Sequence, residues 1–146
     1  MSRDRDQTGR ARNARPRDAL GRPLDRVPGA APPVDEPPLP PRQALQRAQQ
    51  LLDEGHAFAA HEVLEAVWKS TDGAERALWR GLAQLCVGLT HWSRGNLRGA
   101  SSLLNRAADT LTDAPAMHGT DPVALSAWAV HAATATEQPS PPRLLS

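Results

Sequence analysis

The chain has few of the residues that build disulfides, β-sheets and membrane spans. Cys86 is its only cysteine, which excludes a disulfide within the chain. Tyrosine is absent, phenylalanine occurs once, and no segment alternates between apolar and polar residues, so nothing favours strands. No apolar run approaches the roughly 20 residues that cross a bilayer, and no apolar stretch follows the first arginines as it would in a signal peptide. We therefore expect an all-α, cytoplasmic protein that makes no contact with membranes.

Proline and arginine are concentrated at the beginning of the chain. The first 42 residues hold nine of the fourteen prolines and nine arginines, with few large apolar residues among them. Those apolar residues are too few to offset the entropy lost on ordering the segment. We predict a disordered arm over residues 1–40. Acidic residues balance its arginines, and the formal net charge of the whole chain is only +1, which disfavours nucleic acid as a partner.

The following segment carries the capping and periodicity signals of about five helices in antiparallel hairpins. The residues that begin helices are Pro40 with Pro41, Asp72 with Glu75, Asn96, and Asp121 with Pro122, and a second helix runs from about Ala57 to Ser70. The first and third helices end at Gly55 and Gly95. The third helix has an apolar stripe formed by Leu78, Leu82, Leu85 and Leu89. We predict a compact helical bundle over residues 41–137, followed by a flexible tail over residues 138–146.

A faint repeat at a separation of 40 residues supports the hairpin arrangement. The repeated residues are Leu45, Gly55, Ala60 and Leu64, which recur as Leu85, Gly95, Ala100 and Leu104. The second copy resembles the hinge of a tetratricopeptide repeat, although that period is nearer to about 34 residues. Repeat proteins of this kind use their stacked hairpins as binding surfaces.

The second helix carries polar residues beside its apolar row. His61 and Glu65 stand one turn apart and Trp68 follows a turn later, so the three form one stripe. Glu62 lies about 100° around the helix from His61 and is the weaker member of the group. An imidazole or a carboxylate next to a core needs partners, because leaving it unpaired destabilises the fold.

The third helix offers a face that could supply those partners. Residues 81–93 contain no Asp, Glu, Lys or Arg, which predicts a central and well-covered helix. Gln84 and His91 lie two turns apart on one side, with Gly88 between them to let the backbone of the second helix approach. The residues that we expect to converge between the second and third helices are His61, Glu65, Gln84 and His91.

Three blocks of this segment resemble the domain of unknown function 309 family of small helical bacterial and archaeal proteins. The blocks are residues 58–69 with their His-Glu-x-x-Glu-x-x-Trp pattern, residues 80–89 with Gly-x-x-Gln, and residues 91–100 with a histidine before Gly-x-x-x-Gly. The resemblance covers roughly residues 44–111. The family often has an acidic residue two positions before the histidine, where this chain has Ala59, and that difference removes one potential ligand. The resemblance implies a helical fold and no established activity.

Three interpretations of the polar centre remain open. In a structural network, Glu65 accepts a hydrogen bond from a histidine or from the Trp68 indole and fixes the packing. In a metal centre, His61, Glu65 and His91 offer three ligands to a divalent ion and leave a fourth position for water. The metal is the less favoured case, because the zinc-protease pattern His-Glu-x-x-His lacks its second histidine here. In an acid–base site, the histidine exchanges protons beside a carboxylate.

The leading hypothesis is a non-enzymatic module with a buried His/Glu/Gln polar centre that binds another protein or a small polar ligand. Its expected binding residues are Glu62, Trp68 and Gln84. The alternative is a metal-assisted or acid–base enzyme, similar to a hydrolase, that uses His61, Glu65 and His91 for catalysis. A homo-oligomer is compatible with either hypothesis. The remaining histidines, His56, His118 and His131, carry no spacing signal. Five arginines could form a basic rim for an anionic partner, but a solvated helix face is the favoured interpretation; they are Arg76, Arg80, Arg94, Arg98 and Arg106.

Overall fold

Five α-helices form the fold. The computed structural model describes residues 38–146, so the arm predicted for residues 1–40 lies almost wholly outside the described residues. The helices are α1 (Pro41–Asp53), α2 (Ala57–Lys69), α3 (Glu75–Ser93), α4 (Leu97–Thr112) and α5 (Pro122–Ala133). Residues 38–146 contain no strand, and none of their helices is long and apolar enough to cross a membrane. The predicted all-α fold is confirmed.

Each helix packs against the next one along the chain, and α3 lies between α2 and α4. The leucine stripe predicted for α3 is buried, as expected for a central helix. The core takes fully buried side chains from four helices, namely Leu45, Leu64, Trp79 and Leu104. Cys86 is also buried there, and burial raises the pKa of its thiol to about 12, because the thiolate is poorly solvated in the core.

The turns after α1 and α3 have the same structure. Gly55 and Gly95 both have positive φ angles, of 86° and 82°. At each turn the residue after the glycine donates its backbone N–H to a carbonyl five residues earlier, from His56 to Leu51 and from Asn96 to His91. Each of these two helix ends, with its left-handed glycine, is a Schellman motif. The 40-residue repeat of the sequence therefore marks two helical hairpins that turn in the same way.

The start of α3 differs from the prediction. Asp72 was expected to cap the helix with Glu75 as its reciprocal partner, but α3 begins at Glu75 and no side chain caps it. The carboxylate of Glu75 instead accepts a hydrogen bond from the indole Nε1 of Trp79. The caps predicted at the other two helices are confirmed, since Asn96 and Asp121 each accept a backbone N–H three residues later.

The glycines of α3 face α4. A Cβ atom at Gly88 would lie 2.8 Å from Cγ of Leu104, and one at Gly81 would lie 2.7 Å from Cγ of Leu111. Gly88 was expected to bring α3 close to α2. The prediction named the wrong neighbour, because a glycine indicates a close approach without indicating which helix approaches.

The tail does not match the expectation of a flexible segment. Pro142 and Leu144 are fully buried, and Leu144 belongs to the hydrophobic core. Gln49 of α1 forms hydrogen bonds with the backbone on both sides of Arg143. The end of the tail is thus packed on α1 and on the core.

Candidate functional site

The polar stripe of α2 is partly open to solvent. Nε2 of His61 lies 3.7 Å from Oε1 of Glu65, and their side chains are 15% and 29% exposed. The same Glu65 oxygen lies 4.0 Å from Nζ of Lys69. The ring of Phe58 packs against the imidazole, with 5.0 Å between centroids. Glu65 therefore lies between an imidazole and an exposed ammonium group. Solvent weakens the electrostatic attraction between these groups.

A contact between Trp68 and Arg76 shows where α2 and α3 lie level with each other. The guanidinium of Arg76 lies 4.9 Å from the centroid of the Trp68 ring, and its Nε donates to the Trp68 carbonyl at 3.4 Å. His61 precedes Trp68 by about 10.5 Å along α2, and Gln84 follows Arg76 by about 12 Å along α3. Because the two helices run antiparallel, Gln84 comes level with His61.

His91 lies farther along α3 and is engaged at the start of α4. Its Nδ1 is 3.0 Å from Nδ2 of Asn96, while Oδ1 of the same asparagine accepts the backbone N–H of Gly99. Burial, and secondarily the nearby charge of Arg94, lower the pKa of His91. The neutral imidazole therefore accepts from the Asn96 amide, which places its proton on Nε2. His91 fixes the cap of α4.

The predicted convergence of four residues is therefore only partly found. Gln84 is level with His61, whereas His91 forms its hydrogen bond with Asn96, the cap residue of α4. Within the described part of the chain, no three His, Cys, Asp or Glu side chains are grouped so that they could hold a metal ion. His61, Glu65 and His91 do not form a three-ligand site, because about two helical turns of α3 separate His91 from the level of His61.

Two buried polar atoms distinguish this surface. Nε1 of Trp68 and Oε1 of Gln84 are both inaccessible to solvent, and neither has a hydrogen-bond partner among residues 38–146. Arg80 of α3 lies at a height between those of Trp68 and Gln84. It is exposed and forms no ion pair with any other described residue. We call this surface the α2–α3 polar seam; its members are His61, Glu65, Trp68, Arg76, Arg80 and Gln84. Glu62 is exposed on α2 and is not a member.

A second cluster joins α3 to the loop before α5. Oε2 of Glu75 accepts from Nε1 of Trp79 at 3.0 Å and lies 2.7 Å from Nε2 of His118. The rings of Trp79 and His118 are 5.9 Å apart. His118 has a φ of 57°, which is unusual for a residue other than glycine, and its carbonyl accepts from Arg42 of α1. Sequence reasoning missed His118 because its partner is 43 residues away.

The electrostatics of this cluster favour a charged carboxylate. The pKa of Glu75 is lowered, first by the hydrogen bond from Trp79 and then by the hydrogen bond from His118. Each bond stabilises the ionised form relative to the neutral one. Because Trp79 is fully buried, its indole N–H depends on Glu75 for a partner. The cluster therefore reads as a structural bridge between α3 and the loop.

Two open pockets lie away from the seam. One of about 430 Å³ is at the end of α5, where Trp128, His131 and Glu137 are among its lining residues. The other, of about 370 Å³, is on α1 next to Leu145. Neither is lined by a residue of the polar seam. Enclosed pockets are typical of small-molecule sites, and these two are shallow depressions.

The segment that carries these features matches a known family. Residues 45–103 match the model of DUF309, a domain of unknown function. The predicted resemblance is confirmed. The DUF309 segment begins within α1 and ends within α4, so it contains the whole polar seam, whereas His118, α5 and the tail follow it. No curated protein and no solved structure matches the chain significantly.

Proposed function

We propose that the DUF309 segment is a non-enzymatic binding module whose α2–α3 polar seam takes an extended, acidic segment of another protein. The observation that carries the proposal is the pair of buried atoms without partners, the Trp68 donor and the Gln84 acceptor. A buried polar atom without a partner destabilises a fold, so its retention favours a partner that arrives from outside.

The chemistry of the seam suggests what that partner is. Trp68 lacks an acceptor and Gln84 lacks a donor. A peptide backbone offers both groups along one extended strand, and it reaches the two buried atoms when their side chains turn outward on binding. The two side chains stand roughly 12 Å apart along the helices, which an extended strand spans in about four residues. The exposed guanidinium of Arg80 between them suits a carboxylate of the same strand.

An acid–base enzyme is the second candidate, and the His61–Glu65 pair favours it. The 3.7 Å between imidazole and carboxylate is longer than a hydrogen bond, and none of the pockets described above opens beside the pair. The binding module therefore accounts for more of the seam than the enzyme does.

The Gln84→Met variant is expected to be more stable than the wild type. Methionine keeps the shape of the side chain and removes the unpaired oxygen, which should raise the free energy of unfolding by about 1 kcal/mol. Thermal denaturation checks this, with an expected rise in Tm of about 4–8 °C for a domain of this size. Gln43→Met, at an exposed position of α1, is the matched control and should leave Tm nearly unchanged. A lower Tm for Gln84→Met would mean that the oxygen already has a partner.

Selection from a displayed library of random peptides tests the binding itself. The wild-type chain should enrich acidic peptides, and the enrichment should fall by about tenfold or more with Arg80→Glu, because reversing the charge turns attraction into repulsion. Arg106→Glu changes an exposed arginine of α4 and serves as the matched control. Equal enrichment by the wild type and Arg80→Glu would contradict the proposal.

A further inference from the structure

The end of the tail packs along α1 as an irregular segment that bends at Leu144. From residue 141 to residue 144 the side chains alternate between exposed and buried, so that Pro142 and Leu144 point inward and Arg143 points outward. This alternation is the pattern by which an extended peptide is read, with every second side chain entering the groove. The inward side chains are fully buried, whereas the side chain of Arg143 is 63% exposed.

Two side chains of α1 bind this segment through its backbone and through Arg143. Nε2 of Gln49 donates to the Pro142 carbonyl at 2.9 Å, and Oε1 of the same amide accepts the N–H of Leu144 at 2.8 Å. Asp53 accepts from Nη2 of Arg143 at 2.6 Å, and it also accepts from Nε2 of Gln49 at 3.0 Å. Because Gln49 forms hydrogen bonds only with backbone atoms of the tail, it would bind the backbone of another peptide in the same register.

The tail leaves part of this surface unfilled. An open pocket of about 370 Å³ continues along α1 beside the last apolar residue of the tail, Leu145. Its other lining residues are Gln46, Gln49, Gln50, Asp53 and Glu54. Two carboxylates and three amides form a lining that suits a long basic side chain better than a leucine.

We propose that this face of α1 is a docking groove for an extended peptide of another protein, with the order apolar, arginine, apolar, basic. In this structure the tail of the chain occupies the groove, so it competes with that peptide. The groove would bind the peptide through the amide of Gln49, which pairs with its backbone, and through the carboxylate of Asp53, which pairs with its arginine. The two apolar side chains of the peptide would take the buried positions of Pro142 and Leu144. The fourth position of the partner would fill the acidic pocket that Leu145 leaves open. This groove is separate from the α2–α3 polar seam.

Fluorescence anisotropy with a labelled peptide that copies residues 138–146 tests the groove. The full chain carrying Leu144→Ser has lost the anchor of its own tail, so it should bind the peptide at least about tenfold more tightly than the wild-type chain, whose tethered tail competes. A peptide with Leu145→Arg should bind about two- to fivefold more tightly than the unchanged peptide, as expected for one exposed ion pair.

The controls separate the groove from general adhesion of a basic peptide. Gln49→Leu added to the Leu144→Ser chain should weaken binding by about tenfold or more, because two backbone hydrogen bonds are lost. Gln43→Leu in the same background should leave it unchanged. If circular dichroism shows that Leu144→Ser does not fold, the wild-type chain is titrated with the Leu145→Arg peptide at millimolar concentration while the Gln49 side-chain amide is followed by NMR. Absence of saturable binding in the folded protein, or equal binding with and without Gln49, would overturn the proposal.

Discussion

Gly88→Leu is expected to destabilise the domain by more than about 4 kcal/mol, because overpacking beyond a single methyl group forces whole elements apart. Even a single added Cβ would lie 2.8 Å from Cγ of Leu104 and 3.4 Å from the backbone nitrogen of that residue. The Leu104 side chain is itself fully buried, so it cannot move aside into solvent. A leucine at position 88 would therefore separate α3 from α4 rather than repack locally. Chemical denaturation followed by circular dichroism measures the loss.

A graded series attributes the effect to this contact. Gly88→Ala gains helix propensity but meets Leu104, so a smaller net loss of about 1–2 kcal/mol is expected. Leu104→Ala should relieve part of the clash, and the double variant should be more stable than the sum of the two single changes predicts. Strict additivity of the two losses in stability would show that contact with Leu104 is not what excludes a side chain at position 88.

Glu75→Ala is expected to cost about 2–3 kcal/mol, because it leaves the buried indole N–H of Trp79 unpaired and removes the partner of His118. Tm should fall by more than about 8 °C in a domain of this size. Glu75→Gln keeps an acceptor for Trp79 and should lose less. An equal loss in both variants would assign the effect to the charge, and no loss in either would contradict the bridging role of Glu75.

The same carboxylate should make stability depend on pH in the acid range. Its pKa is lower in the folded protein than the ordinary value of 4.5, so the folded state favours the ionised form. The stabilisation is therefore fully present above the unfolded-state pKa, and it is lost as the pH falls through the lower, folded-state pKa. Glu75→Gln should flatten this part of the profile measured by denaturation, whereas Glu137→Gln, a change at an exposed residue just before the tail, should not.

Much of the fold could be predicted from local signals. Proline at the start of α1, glycine at the ends of α1 and α3 and the asparagine cap of α4 act within a few residues of where they stand, so their effects can be read from the sequence. The cap predicted at Asp72 is absent because of another contact within a few residues. Its expected partner, Glu75, gains more from the indole of a buried tryptophan than from a backbone N–H that water can satisfy.

The candidate site was harder to predict because it depends on register. Helical periodicity gives the face of a residue but not the height at which two helices meet. The prediction paired His61 with His91, whereas the Trp68–Arg76 contact brings Gln84 level with His61 and leaves His91 to Asn96. His118 and the tail contacts of Gln49 join residues far apart in the chain, and no local pattern marks such pairs.

The single thiol in the core provides a built-in reporter of opening. A thiol-modifying reagent cannot reach the buried Cys86 in the closed molecule, and a pKa of about 12 leaves almost no thiolate to react with it. The rate of its modification in native buffer therefore measures how often α3 is exposed, without any introduced label. The same inertness means that a cysteine introduced at an exposed position such as Val123 would react alone, so a dye or spin label could be attached there without first removing the natural residue.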